Sequence, residues 1–228
     1  MAGIGLVSAL GPGSGSAAVM GGAAPGWWEV AGKTCLAAYQ PKGAASLAAS
    51  YINLANPGTY DASLGVAPAH NPATGWTFDG ATEYLNTGLV HNSVQWSAIV
   101  RYAGVDAVQD NQTAFGSYSG TFKRFYVLWR PALPQSQWGH DSFLTDGGAF
   151  AASGVRGLAN DDCYINGVFF GTIPTCITPT GLQTMIGAQQ APAGAQRFLN
   201  GTICALVFYS SALSGGEMLT VSTAMAAL

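Results

Sequence analysis

Residues 197–218 read RFLNGTICALVFYSSALSGGEM, and the alternation inside this stretch decides the fold class. Strand side chains alternate between faces, so Ile203, Ala205, Val207 and Tyr209 are expected on one side and Cys204, Leu206 and Phe208 on the other. Both sets are apolar. That predicts a strand covered on both faces, in the middle of a sheet that is itself roofed over. Beyond it, Ser214 and Glu217 have capping-box spacing, and Met218, Val221 and Met225 fall on one helical stripe. A short C-terminal helix should follow the strand.

Outward from this stretch the same period of two recurs, broken by turn chemistry, with no sustained helical periodicity before the last dozen residues. Predicted strands are Thr34 to Gln40, Gly75 to Asp79, Glu83 to Asn86, Trp96 to Tyr102, Gln112 to Tyr118 and Arg124 to Arg130. Further strands are predicted at Gln135 to His140, Gly154 to Ala159, Asp162 to Ile165, Val168 to Ile173, Thr184 to Ala188 and Gly201 to Ser210. Asn166-Gly167 supplies the pair that accepts positive φ at both turn positions, a strong hairpin signal. Ala44 to Ala55 reads as a helical turn or irregular loop, ended by Asn56-Pro57-Gly58. The fold class implied is all-β, a sandwich of two antiparallel sheets with a short C-terminal helix.

At 228 residues the chain is long enough for one such domain. We expect it over residues 27–228, preceded by an arm over residues 1–26. Charged residues make up only 8% of the chain, against roughly 25% in ordinary soluble domains. Scattered cations and a net charge of −3 give no basic stripe for a phosphate backbone, so nucleic acid is not an expected partner. A weakly charged surface suits a subunit packed against neighbours or further copies of itself, and equally a secreted module with a neutral polar surface.

The arm, MAGIGLVSALGPGSGSAAVMGGAAPG, carries no charge and gathers Ile4, Leu6, Val7 and Leu10 in one apolar cluster. It lacks the basic start of a secretory signal, and Gly11-Pro12-Gly13 breaks its apolar run. We read it as an attachment arm that gains order on a partner, by strand addition or by filling a groove. No run reaches the ~18 apolar residues of a membrane-spanning helix. Cys35, Cys163, Cys176 and Cys204 fit no zinc spacing. They read as four small buried hydrophobes, or as a Cys163–Cys176 bridge, or as a Cys35–Cys204 bridge if the first and last strands are neighbours.

Four motifs in order resemble the laminin-G-like, concanavalin-A-like jelly rolls: WTFDGATEYLNTG from Trp76, WSAIVRY from Trp96, CYINGVFFGT from Cys163, and the closing stretch quoted above. In the closing motif Phe198, Gly201, Ile203, Tyr209, Ala212, Leu213, Ser214 and Glu217 carry the match, which covers about residues 34 to 222. The resemblance implies a jelly-roll β-sandwich. The segment Ala37 to Pro68 is also similar to a leader found before such domains in bacteriophage and prophage proteins. That implies a virion component, in capsid decoration or tail-associated, whose partners are other virion proteins met through the arm. The alternative is an extracellular carbohydrate-binding module on a host-surface or other glycan.

The jelly-roll fold also houses glycoside hydrolases, so enzymatic function has to be judged on residues. Retaining hydrolysis needs two carboxyl groups about 5 to 5.5 Å apart, which the laminarinase branch of the family this chain resembles supplies from one strand as Glu-x-Asp-x-x-Glu. Here Glu29, Glu83 and Glu217 are isolated, so no catalytic residue is expected. His70, His91 and His140 are far apart in sequence, and His140-Asp141 with Asp146 reads as a solvated loop. Asp79, Asp106, Asp110 and Asp146 are loop carboxylates without calcium-loop spacing, and neither metal nor cofactor is expected. For sugar binding the candidates are Tyr118, Tyr126, Trp129 and Trp138, aromatics on middle strands whose concave face would offer a platform. The same aromatics have a plain alternative role as filling for the sandwich core.

Overall fold

The computed structural model describes residues 26–120, 123–147 and 150–228. The proposed attachment cluster Ile4, Leu6, Val7 and Leu10 lies outside these residues. In chain order the strands are β1 (Cys35–Tyr39), β2 (Ser63–Val66), β3 (Ala69–Asn71), β4 (Gly75–Asp79), β5 (Tyr84–Val90) and β6 (Ser97–Ala103). They continue with β7 (Gln112–Tyr118), β8 (Arg124–Arg130), β9 (Gln135–His140), β10 (Ser142–Thr145), β11 (Gly154–Ala159) and β12 (Asp162–Ile165). The last are β13 (Val168–Thr172), β14 (Gln183–Ile186), β15 (Gln189–Ala191), β16 (Gly194–Gln196) and β17 (Asn200–Tyr209). Two helices complete the described residues, α1 (Leu47–Ser50) and α2 (Gly215–Ala227).

The strands form two sheets that pack face to face as a jelly-roll β-sandwich. An eight-stranded sheet runs β13-β12-β11-β6-β17-β4-β3, with β1 also on β17. A nine-stranded sheet runs β10-β9-β8-β7-β14-β5-β2, with β15 and β16 appended. Pairing is antiparallel except where β15 meets β7. The main core lies between the sheets and contains Trp76, Phe78, Phe115, Phe125, Trp129, Trp138 and Phe208.

A second apolar layer lies on the outer face of the eight-stranded sheet. There Ile99, Ala205, Val207 and Tyr209 meet Met218, Val221 and Met225 of α2, with Trp27 and Trp28 packed alongside. The helix starts as expected, on a complete capping box between Ser214 and Glu217. Strand β17 is therefore covered on both faces. One detail differs from the plain alternation: the pairing of β17 with β6 shifts between Ile203 and Ala205. This bulge inserts Cys204 as an extra residue, so Ile203 joins Leu206 and Phe208 in the main core rather than Ala205 on the outer layer.

Most predicted strands agree with the structure within a residue or two. Strand β5 runs longer than predicted, to Val90, because Gly88 at φ 71° bends the strand without ending it. The short strands β2, β3, β10, β15 and β16 were not predicted. The excursion between β1 and β2 is anchored by the buried side chain of Asn53, which accepts from the Ala38 and Ala55 amides and donates to the Leu36 and Thr59 carbonyls. All four cysteines are free. The first and last strands are neighbours, but Cys35 lies opposite Tyr209. Cys204 is five residues further along β17, roughly 16 Å away at strand rise, too far to bridge.

The Asn166-Gly167 turn joins β12 to β13 with positive φ at both residues. A Cβ on Gly167 would come within 2.8 Å of the Leu219 Cα in α2. Gly167→Ala should therefore cost about 2 to 3 kcal/mol, combining backbone strain with a clash that only a shift of α2 relieves. Urea unfolding of the two proteins measures this, with a larger loss expected than for Gly181→Ala, where positive φ is present but space is open.

Candidate functional site

A larger cavity, about 560 Å³, lies beside Trp28, Lys33 and Cys35, but the outer face of the nine-stranded sheet carries the site where aromatic, amide and guanidinium groups converge. Strand β8 shows how it is built. Phe125, Val127 and Trp129 point into the main core. Arg124, Tyr126 and Arg130, by alternation, point outward. Tyr126 lies opposite Gly116 of β7 and Gly139 of β9. A Cβ on Gly139 would fall 2.6 Å from the Tyr126 ring, and one on Gly116 2.7 Å from its Cβ. The two glycines thus make a bed in which the ring lies against the sheet.

Above this bed is a pocket of about 340 Å³. Tyr126 and Gln137 form its floor, and the phenol donates to the Gln137 amide oxygen at 2.6 Å. Tyr118, Phe143 and Asn111 line it together with Arg124, Arg130 and Arg197. The Arg124 guanidinium sits 4.9 Å from the Phe143 ring centroid and 5.9 Å from that of Tyr118. Arg130 approaches Asp110 at 3.7 Å, and Asn111 donates to the same carboxylate. Burial raises the pKa of Tyr126, while Arg124, Arg197 and Arg130 pull it down without cancelling that rise. No carboxylate lines the pocket.

The four aromatics expected at a sugar platform divide by face. Tyr118 is partly exposed in the pocket wall. Tyr126 is in the pocket but only 1% exposed, so it contributes its phenol edge rather than an open ring face. Trp129 and Trp138 are corrections: both are completely buried in the main core. Trp129 stands three residues from Tyr126 on one strand and must face the other way. Trp138 stacks on Phe170 and lies beneath the buried Arg156 guanidinium. The residues missed were Phe143 and the three arginines. The signal was present in RFYVLWR, where Arg124, Tyr126 and Arg130 share one parity.

The histidines and aspartates also sit differently from the sequence expectation. His91 and His140 meet in the main core, Nε2 to Nε2 at 3.0 Å. The Thr180 amide donates to His91 Nδ1, so His91 carries its proton on Nε2 and donates to His140, whose Nδ1 donates to the Asn160 carbonyl. His140 and Asp141 are buried, not part of a solvated loop. Asp146 pairs with buried Arg156 at 3.8 Å and accepts from the Ser136 amide. Asp79 accepts from three successive backbone amides and the Thr82 hydroxyl; burial pushes its carboxyl up, but these bonds outweigh it and hold the pKa low. Among the described residues no three His, Cys, Asp or Glu side chains are placed to hold a metal ion. No described helix is long and apolar enough to cross a membrane.

The architecture defines a β-sandwich whose open sheet face carries a small polar-aromatic pocket. No protein-family model matches the chain. No curated protein matches it either. Among solved structures it is similar to Trypanosoma rangeli sialidase in complex with the inhibitor DANA, at 13% identity and a TM-score of 0.57, over 85% of this chain and 33% of that one. A mutant of that sialidase displaying trans-sialidase activity gives the same TM-score over 84% of this chain. The Ruminococcus gnavus IT-sialidase CBM40 bound to α2,3 sialyllactose is similar at 17% identity and a TM-score of 0.47, over 58% of this chain and 83% of that one. The chain spans about a third of the length of the Trypanosoma sialidase. At these identities the likeness is one of fold.

Burial pushes His91 down to about 2, helped by His140, and pushes His140 down to about 4, against the opposing Asn160 bond and nearby aspartates. Both are neutral in the folded protein, whereas in the unfolded chain they take protons below about 6.5. Their contribution is complete above that value and is lost as pH falls from about 6.5 toward 4 and below. Each histidine should subtract up to about 1.4 kcal/mol per pH unit across that window. Denaturant midpoints between pH 7.5 and 4.5 check this, and His91→Gln should flatten the slope.

Proposed function

We propose that this domain is a carbohydrate-binding module whose ligand enters the pocket on the outer face of the nine-stranded sheet. The observation that carries the reading is the joining, in one pocket, of accessible aromatic surface from Tyr118 and Phe143 with the amides of Asn111 and Gln137. Sugar rings present apolar C–H faces, which pack on aromatic side chains, and hydroxyls that both donate and accept. Amide side chains answer both hydroxyl roles, and guanidinium groups add fixed donors. The cavity falls within the roughly 300 to 1,000 Å³ range of small-molecule sites.

Binding without turnover is the chemistry these residues favour. Paired-carboxylate hydrolysis has no candidate in the pocket lining. A tyrosine nucleophile would need a base to take its proton, but Tyr126 gives its hydrogen bond to an amide oxygen, and burial raises its pKa. The virion role implied by the leader resemblance has no counterpart among the structural likenesses, and the arm that would serve it lies outside the described residues. An extracellular or surface-attached setting is where such a module would meet a glycan.

Binding of the full chain to an immobilised glycan panel tests the reading. Tyr118→Ala and Phe143→Ala should each weaken the best ligand about tenfold, equivalent to ~1.4 kcal/mol, with the thermal midpoint unchanged. Trp138→Ala should instead cost about 3 to 5 kcal/mol of stability, as expected for a core aromatic. Failure to bind any saccharide at millimolar concentration overturns the proposal.

A further inference from the structure

We infer that the pocket recognises an acidic saccharide, its carboxylate or sulfate held by Arg124, Arg130 and Arg197; this rests on the carbohydrate-binding reading above. The chain has only eight Lys and Arg side chains, against eleven Asp and Glu. Three of the eight line one cavity of about 340 Å³. Other cations are committed elsewhere: Lys33 to Glu217, Arg156 to Asp146, and Arg101 to the Met225 carbonyl at the end of α2. Concentrating like charge on a weakly anionic protein is unfavourable unless something of opposite sign completes the site.

The protein itself completes little of it. Among the described residues Asp110 is the one carboxylate in an ion pair with any of the three, and its 3.7 Å approach to Arg130 Nε is too long for a hydrogen bond. That Nε is buried with no hydrogen-bond partner. Asp110 also accepts from Asn111. Arg124 and Arg197 form no ion pair among the described residues. Three guanidinium groups thus face one carboxylate, an excess of two positive charges at a single small cavity.

The groups are also held in place. Arg124 is flanked by the Phe143 and Tyr118 rings, which fixes the plane of its fork. Arg197 occupies the left-handed region at φ 57°, an unfavourable conformation for a residue with a Cβ. Its carbonyl accepts from the Thr113 amide at 3.0 Å, which ties that strained turn to β7. Backbone strain of this kind persists where the surroundings enforce it, commonly at binding sites. Planar guanidinium forks match the paired oxygens of carboxylate and sulfate, whereas a neutral sugar would leave the excess charge uncompensated. A compact pocket with three arginines, rather than a basic stripe, also sets this site apart from a nucleic-acid track.

The test uses the full chain on a glycan array holding neutral, uronic-acid-bearing, sialylated and sulfated members, with a single-stranded oligonucleotide as control. Calorimetry on lactose, sialyllactose and sulfated lactose at low and high salt then gives affinities. Anionic members should bind at least about tenfold tighter than their neutral parents at low salt, and the gap should narrow at high salt. Carboxylate and sulfate arms identify which acid is preferred, and either supports the inference. Arg197→Gln, at an exposed position, should erase most of the preference for anionic over neutral members while leaving the thermal midpoint in place. Equal affinity for neutral and acidic members, an undiminished preference in Arg197→Gln, or equal binding of the oligonucleotide overturns the inference. Equal affinity for neutral members leaves the carbohydrate-binding reading standing, whereas silence across the whole array removes both.

Discussion

Everything in this molecule depends on one strand having two apolar faces. Strand β17 presents Ile203, Leu206 and Phe208 to the other sheet and Ala205, Val207 and Tyr209 to the opposite side. Neither set can be left in water, since each large apolar side chain contributes about 1.5 to 3 kcal/mol when buried. A two-layer sandwich covers only one of them. The other requires a third layer, and α2 with Trp27 and Trp28 supplies it. The Tyr209 hydroxyl donates to the Trp28 carbonyl, which locks the segment before β1 onto the last strand.

That solution fixes where a ligand can go. Covering the eight-stranded sheet from outside removes most of one of the sandwich's two broad faces from use. Among the described residues no helix lies over β7, β8 and β9, and at the pocket the ends of β8 present Arg124 and Arg130. Strand β8 serves both purposes in seven residues: its even-numbered Arg124, Tyr126 and Arg130 serve the pocket, while Phe125, Val127 and Trp129 hold the core. The glycines opposite Tyr126 let the ring lie down, which keeps the cavity open above it. The site is therefore a by-product of strand parity combined with two missing side chains.

Much of this fold was legible because it rests on period and turn chemistry. RFYVLWR, GWTFD and QTAFGSY have strand bounds that alternation and flanking turns locate directly. Strands such as β2 and β3 were not legible, since they are short, mostly exposed edges with no apolar alternation to read. In the closing strand parity failed at the Cys204 bulge, because an inserted residue leaves no mark in composition. The site was half legible. Tyr118 and Tyr126 were found as aromatics, but Trp129 and Trp138 were grouped with them by residue type when parity already separated Trp129 from Tyr126. Arg197 could not be found at all, since β7, β8 and the turn before β17 meet only after the sheet has assembled. The His91–His140 pair was invisible for the same reason, its members standing 49 positions apart.

The partly exposed arginines of the pocket differ from the one buried arginine on β11. Arg156 also lies at the end of an ion pair, but it is 2% exposed, the side chain of its Asp146 partner is buried, and aromatic rings of Tyr102 and Trp138 close around it. Such a pair is internally neutral, and leaving either partner alone would be strongly destabilising. Arg124, Arg130 and Arg197 face outward around a cavity whose lining holds no carboxylate, with Asp110 beside Arg130 alone. Folding tolerates them because water can solvate what the protein does not pair. A ligand that enters the cavity displaces that water and must replace its hydrogen bonds. Affinity at this site therefore depends on whether the incoming molecule carries oxygens, and charge, where solvent had satisfied the guanidinium groups.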